Sequence, residues 1–214
     1  MNYPIKSTRR LAKFLTVLIW ISIVLNMILF VGSMFCDIFY IRDLETESNS
    51  GTHIFFVLLL WTYVFLTVVV MWLAEFISFM LWFSRAYINM YKQRAGLTTS
   101  PRWAVMSWFI PIYNIVAPLI LMRKLFAATN SELARAGRSE RLETMPLVWW
   151  WVMLVCESVL VVLILVLSFM KNSPDLLLRI EFATLFCSTI TSILCIRILK
   201  SYTRVEAMLV KAMS

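Results

Sequence analysis

The sequence predicts an all-α integral membrane protein with four transmembrane helices and one further broken helix that is re-entrant or interfacial. Three observations support this class. Hydrophobic residues make up 61% of the 214 and charged residues only 15%, whereas soluble domains carry roughly 25% charged residues. The charged residues lie between long apolar stretches that contain almost none. The chain has 4 glycines and 6 prolines, and it lacks the alternating ~10-residue segments of a membrane barrel.

The four apolar stretches define the spans of a single polytopic domain, residues 1–214. Crossing the hydrocarbon layer takes ~20 helical residues. The stretch at 54–83 is longer than that, so its helix tilts or protrudes from the bilayer. Tryptophans 149–151 open the third span and suit an interfacial aromatic belt. The predicted spans are about 14–35, 54–83, 147–169 and 180–199.

A fifth apolar segment, about 103–126, is interrupted by Pro111, Asn114 and Pro118. Basic residues collect at the cytoplasmic ends of spans, and their distribution decides whether this segment crosses. If it dips in and returns, 17 of the 20 lysines and arginines lie on one side. If it crosses, the two sides receive equal numbers. We therefore predict a re-entrant or interfacial segment and both termini in the cytoplasm.

Glu157 is the foremost candidate site residue, because it lies ~16 Å of helix beyond Pro146 and so near the bilayer midplane. An ionised carboxylate there costs at least ~2.5 kcal/mol. Two interpretations stay open: a proton or cation site, or a neutral carboxyl that fastens helices. The expected partner surface is a stripe of small polar residues on the fourth span: Thr184, Ser188 and Ser192, with Cys195.

Two further groups of polar residues accompany the long second span. Glu75 and Arg85 share one helix face, where they neutralise neighbouring charges or form a cytoplasm-open polar site. Arg85 and Asn89 are spaced i and i+4. Together with Asn114, we expect them to satisfy the backbone groups that Pro111 leaves unpaired. Asn130 or Ser131 can cap a short polar helix that ends near Gly137, but a solvated cytoplasmic linker is the favoured interpretation of this stretch.

The composition excludes several kinds of site. The one histidine, His53, and the absence of a CxxC pair argue against a metal site, and the cysteines suit a packed core. No phosphate-binding glycine loop or close carboxylate pair appears, so neither an enzyme nor a cofactor is predicted. The net charge of +8 reflects the inside-positive bias and suits anionic lipid head groups; nucleic acid is not an expected partner.

The residues from Trp82 to Phe126 carry a family resemblance. They read WFSRAYIN from 82 to 89, SPRWAV from 100 to 105 and WFIPIYN from 108 to 114, followed by Pro118. This pattern resembles the bacterial membrane family catalogued as domain of unknown function 4328. Arg102 departs from it, since glycine is expected there. The resemblance implies a bacterial membrane protein, for which we expect an inner-membrane location, and transfers no catalytic residue.

Two functions fit these observations. The favoured hypothesis is a non-enzymatic membrane module that binds a partner and functions in sensing, scaffolding or protection. The partner is another protein or a second copy of the chain. The alternative is a proton-linked transporter or channel component that uses Glu157, since broken helices line cavities in such proteins.

Overall fold

The computed structural model describes the backbone of residues 5–44, 50–93, 95–169 and 174–213, and the side chains of 5–32, 59, 62–93, 95–169 and 176–212. Every regular element within these ranges is helical. The predicted outer-loop positions 48 and 172 and the terminal positions 2 and 214 lie outside the described residues. The helices are α1 (Arg9–Leu44), α2 (Ser50–Lys92), α3 (Pro101–Met106), a 3-10 turn (Tyr113–Ile115), α4 (Ala117–Arg135), α5 (Met145–Phe169) and α6 (Pro174–Met213).

Four of these helices are long and apolar enough to cross a membrane, as the sequence predicts. They contain the candidate segments Arg9–Gly32, Thr62–Lys92, Met145–Phe169 and Leu176–Ala212. α2 and α6 have 43 and 40 residues, about 60 Å of helix at 1.5 Å per residue, against a hydrocarbon layer of ~30 Å. Both extend beyond the predicted spans, because hydropathy marks only the apolar part of a helix that continues through polar residues.

The chain forms two compact units. The first contains residues 1–16 and 78–214, and the second contains 17–77. In the first unit α5 packs along α6, and α4 contacts both. Its most buried large side chains include Trp82, Phe83, Tyr87, Phe126 and Tyr202.

In the second unit, Glu75 is half-buried and hydrogen-bonds with Ser22 of α1. The carboxyl thus finds a hydroxyl partner on the neighbouring helix. The predicted polar face of α2 does not continue to Arg85, which is exposed although Ser78 and Trp82 on the same face are buried.

The segment around Pro111 is broken, as predicted. α3 ends at Met106, and the chain resumes as a 3-10 turn and then as α4, with Pro118 in the first turn of that helix. The expected cap at Asn130 is wrong, because α4 runs through it without interruption to Arg135. Asn130 instead accepts from the Leu142 amide at 2.8 Å and donates to the Leu142 carbonyl at 3.1 Å.

The favoured prediction of a solvated linker after residue 126 is wrong, because α4 continues to Arg135 and ends at a Schellman motif that contains Gly137, as the helical alternative expects. Gly137 has φ +69°, its amide donates to Ala134, and the amide of Arg138 donates to Leu133. Glycine takes this backbone conformation without steric cost. The two Asn130 bonds then hold the following connection against α4.

Candidate functional site

The first feature of the candidate site is a buried polar cluster that joins three separate parts of the first unit. The carboxylate of Glu206, on α6, is 2% exposed. Its Oε2 accepts hydrogen bonds from the amide and the hydroxyl of Thr8, both at 2.8 Å. Its Oε1 accepts from Nδ2 of Asn89 at 3.2 Å. Hydrogen bonds to an ionised acceptor are roughly twice as strong as neutral ones.

Asn89 completes the cluster by pairing with the backbone of Lys6. Its Nδ2 donates to the Lys6 carbonyl at 2.8 Å, and its Oδ1 accepts from the Lys6 amide at 3.2 Å. The side-chain amide thus bonds to both backbone polar groups of one residue. These bonds fasten the segment before α1 to α2 and α6, and Arg85 adds a favourable charge near Glu206.

The expected role of Asn89 and Arg85 in holding the broken segment is therefore wrong. The Asn89 side chain bonds to Lys6 and Glu206, and Arg85 is exposed. Asn114 is also exposed. Spacing along one helix identified the face that these α2 side chains occupy, but it could not identify which neighbour covers that face.

The second feature is an aromatic core under the broken segment. Phe79 lies 5.3 Å from Trp108 and 5.5 Å from Trp150, measured between ring centroids. Trp108 and Trp151 meet at 5.9 Å with an interplanar angle of 83°. Such edge-to-face pairs add ~0.5–1.5 kcal/mol beyond the burial of their area.

Trp151 supplies the hydrogen bond that the broken segment needs. Its Nε1 donates to the Ile115 carbonyl at 3.0 Å. Trp150 and Trp151 are 4% and 6% exposed, and Trp149 is 54% exposed. The predicted aromatic belt thus fits Trp149 alone, because the other two rings turn inward to pack against α2 and the broken segment.

The third feature is a strained apolar turn at Ile112. Its φ of 68° and ψ of −50°, with the Tyr113 amide donating to the Pro111 carbonyl at 2.7 Å, define a γ-turn of the rare, strained form. Among the described residues, Ile112 is the one non-glycine with positive φ. Its side chain is 84% exposed, and Phe109, Ile115 and Val116 beside it are 56–58% exposed.

Glu157 lies half-buried on α5. Cys187 of α6 is close enough to interact electrostatically with Glu157 and Cys156. In the predicted stripe, the Thr184 hydroxyl donates to the Ile180 carbonyl of its own helix at 2.8 Å, while Ser188 and Ser192 are half-buried. Glu157 therefore faces the α6 side, beside the residue that precedes Ser188.

Comparison with known proteins gives one match, to the family model described as Domain of unknown function (DUF4328), over residues 47–204. The chain belongs to this family. The DUF4328 match extends well beyond Trp82–Phe126, since it includes α2 to α5 and most of α6. Asn89, Trp151 and Ile112 lie within it, and Thr8 and Glu206 lie outside. No curated protein and no solved structure matched the chain.

Sequence reasoning missed Glu206 and Thr8, although one signal for Glu206 was present. Tyr202, Val205 and Leu209 are buried at i, i+3 and i+7 on α6, and Glu206 lies on the same helix face. An acidic residue within an apolar stripe predicts a buried partner. Thr8 carried no comparable signal, because it lies among basic residues before the first apolar stretch.

Proposed function

We propose that this DUF4328 protein is a four-span inner-membrane protein that acts as a non-enzymatic partner-binding module in sensing or protection, with residues 103–126 as a re-entrant or interfacial segment. The observation that carries the proposal is the turn at Ile112. Unfavourable backbone conformations persist at sites where the surroundings over-determine them, and they cluster at functional sites. Here the strained turn exposes four large apolar side chains.

The packed body behind this turn supports a binding role. The first unit is held by a buried aromatic core and by the Glu206 cluster, so the turn projects from a rigid support. An exposed apolar patch on such a support serves as a contact surface for a partner or for the bilayer. Rigid supports lower the entropy lost on binding.

The topology is tested by cysteine accessibility in intact cells. The native cysteines at 36, 156, 187 and 195 are first replaced by serine or alanine, and single cysteines are then placed at positions 2, 98, 139 and 214, and at 48 and 172. We expect a membrane-impermeant thiol reagent to label only 48 and 172. Labelling of 98 and 139 from opposite sides would mean that residues 103–126 cross the membrane.

The contact surface is tested with a photo-crosslinking amino acid at position 112. The control position is 145, where Met145 is 65% exposed at the start of α5. We expect position 112 to yield a defined adduct with protein, with lipid or with a second copy, and position 145 to yield none of that adduct. Identical adduct patterns at both positions would contradict a specific contact surface at the turn.

The alternative of proton-linked transport is favoured by the half-buried position of Glu157 beside α6. The two functions are distinguished by measuring proton flux in vesicles that contain the purified protein. A flux that disappears in Glu157→Gln, with folding retained, would support transport instead.

A further inference from the structure

A cavity of about 220 Å³ lies where the connection before α5 meets α6. Its apolar floor consists of side chains that are only 2% exposed: Phe126, Ile198 and Val205. Its rim carries three arginines: Arg141, Arg197 and Arg204. The volume is somewhat below the ~300 Å³ at which drug-sized pockets begin, so the cavity suits a small ligand group.

The arrangement of the rim concentrates positive charge at the cavity. Arg197, Ser201 and Arg204 are spaced i, i+4 and i+7 on α6 and therefore lie on one helix face. Arg141 comes from the connection on the other side. Glu143 is the one carboxylate that lines the cavity. Three arginines and one glutamate leave a net charge of +2 at the rim.

These arginines are free to bind a ligand. In the part of the chain that the structure describes, none of the three guanidinium groups takes part in an ion pair or a hydrogen bond. The ion pair that Arg135 forms with Glu132, at 2.6 Å, lies elsewhere on α4. A guanidinium group presents its donors in a planar fork that matches the oxygens of a phosphate.

We propose that this cavity binds a phosphate group, carried by an anionic lipid head group or present as free inorganic phosphate. The Arg197 and Arg204 guanidinium groups bind the phosphate oxygens from α6, Arg141 closes the opposite side, and the Ser201 hydroxyl adds a donor. The N-terminal turn of α5 borders the cavity at Pro146, and the positive end of a helix dipole favours an anion there. Basic pockets at the cytoplasmic ends of spans bind anionic head groups in this way.

The test uses the full-length protein purified in a neutral detergent, so it is independent of the topology and of any partner at the Ile112 turn. Binding of dioctanoyl phosphatidylglycerol, dioctanoyl phosphatidylcholine and inorganic phosphate is measured by native mass spectrometry and by thermal shift. The variants are the double change Arg197→Gln with Arg204→Gln, Glu143→Gln, and the matched control Lys200→Gln. Lys200 is exposed on α6 and does not line the cavity.

We expect phosphatidylglycerol to bind more tightly than phosphatidylcholine. At ~1 kcal/mol for each basic residue near an anionic group, the double variant binds about 30-fold more weakly and Glu143→Gln about fivefold more tightly, while Lys200→Gln is unchanged. Because Glu143→Gln moves affinity in the opposite direction, the proposal stays testable even if the double variant fails to fold.

The two sources of phosphate give different results. Binding of phosphatidylglycerol that inorganic phosphate does not reproduce assigns the cavity to a lipid head group. Saturable binding of inorganic phosphate without preference for the anionic lipid assigns it to the free ion. Equal binding of both lipids with no response to phosphate overturns the proposal, as does wild-type affinity in the double variant together with no change in Glu143→Gln.

Discussion

Replacing Glu206 by methionine tests whether the buried carboxylate fastens the segment before α1. Methionine keeps the length of the side chain but removes both acceptor oxygens. The Thr8 amide and one Asn89 N–H then lose their acceptor inside the protein, at ~1–3 kcal/mol for each unsatisfied group. The Thr8 hydroxyl can rotate to another acceptor. Removing a buried charge also recovers part of the lost free energy of unfolding.

The net destabilisation is therefore about 3 kcal/mol, which lowers the midpoint of thermal unfolding by roughly 6–12 °C in a chain of this size. Glu206→Gln should lie between wild type and Glu206→Met, because its remaining oxygen can still accept from Thr8. The matched control is Glu132→Met. Glu132 forms an ion pair with Arg135; its own side chain is 13% exposed and that of Arg135 is 65% exposed. Since solvent screens the exposed partner, the pair contributes about 1 kcal/mol or less.

The assay is size-exclusion chromatography of the detergent-purified protein after heating, combined with limited trypsin digestion. The side chains of Lys6, Arg9 and Arg10 are already exposed, so release of the segment before α1 should make the backbone there accessible to trypsin and accelerate cleavage in Glu206→Met. If Glu206→Met unfolds at the same temperature as Glu132→Met and is cleaved no faster, the cluster does not hold the segment.

Three further substitutions test other parts of the structure in the same heating assay. Ile112→Gly should stabilise the protein by about 1 kcal/mol, since it relieves ~1–3 kcal/mol of backbone strain and costs ~0.5–1 kcal/mol in chain entropy; Ile112→Val should give no such gain. Trp151→Phe removes the bond to Ile115 and should cost about 1–2 kcal/mol, whereas the exposed Trp149→Phe should change stability by less than ~0.5 kcal/mol. Glu157→Gln should keep stability within ~1 kcal/mol and leave proton flux in vesicles unchanged, as expected for a carboxyl that fastens helices.

The four long helices could be predicted because the apolar composition of a membrane-spanning helix is distinctive. A continuous apolar stretch of 20 or more residues has few other structural solutions. The ends of the same helices could not be predicted, since α2 continues through Arg85 to Lys92 and α6 continues through Lys200 to Met213. Those extensions are stabilised by packing inside the first unit, which hydropathy does not measure.

The break at Pro111 could likewise be predicted, but the hydrogen-bond partners of the broken segment could not. A proline inside an apolar helix removes a donor and frees a carbonyl, so some polar group had to compensate. Arg85 and Asn89 were the nearest polar side chains along α2. Instead, the indole of Trp151, on a helix that begins 34 residues after Pro111, donates to the Ile115 carbonyl. Backbone hydrogen bonds close the turn at Ile112.

The hydrogen-bond partners of Asn89 explain why a carboxyl group is buried at position 206. Asn89 faces the segment before α1, where its side-chain amide bonds to both backbone polar groups of Lys6 and leaves one N–H for Glu206. Glu206 in turn accepts from Thr8, so the segment before α1 and the parts of α2 and α6 near Asn89 and Glu206 meet at one carboxyl group. A charge in that position is costly unless all of its partners are present. The cluster therefore favours a single placement of the segment before α1 within the first unit, the unit from which the Ile112 turn projects.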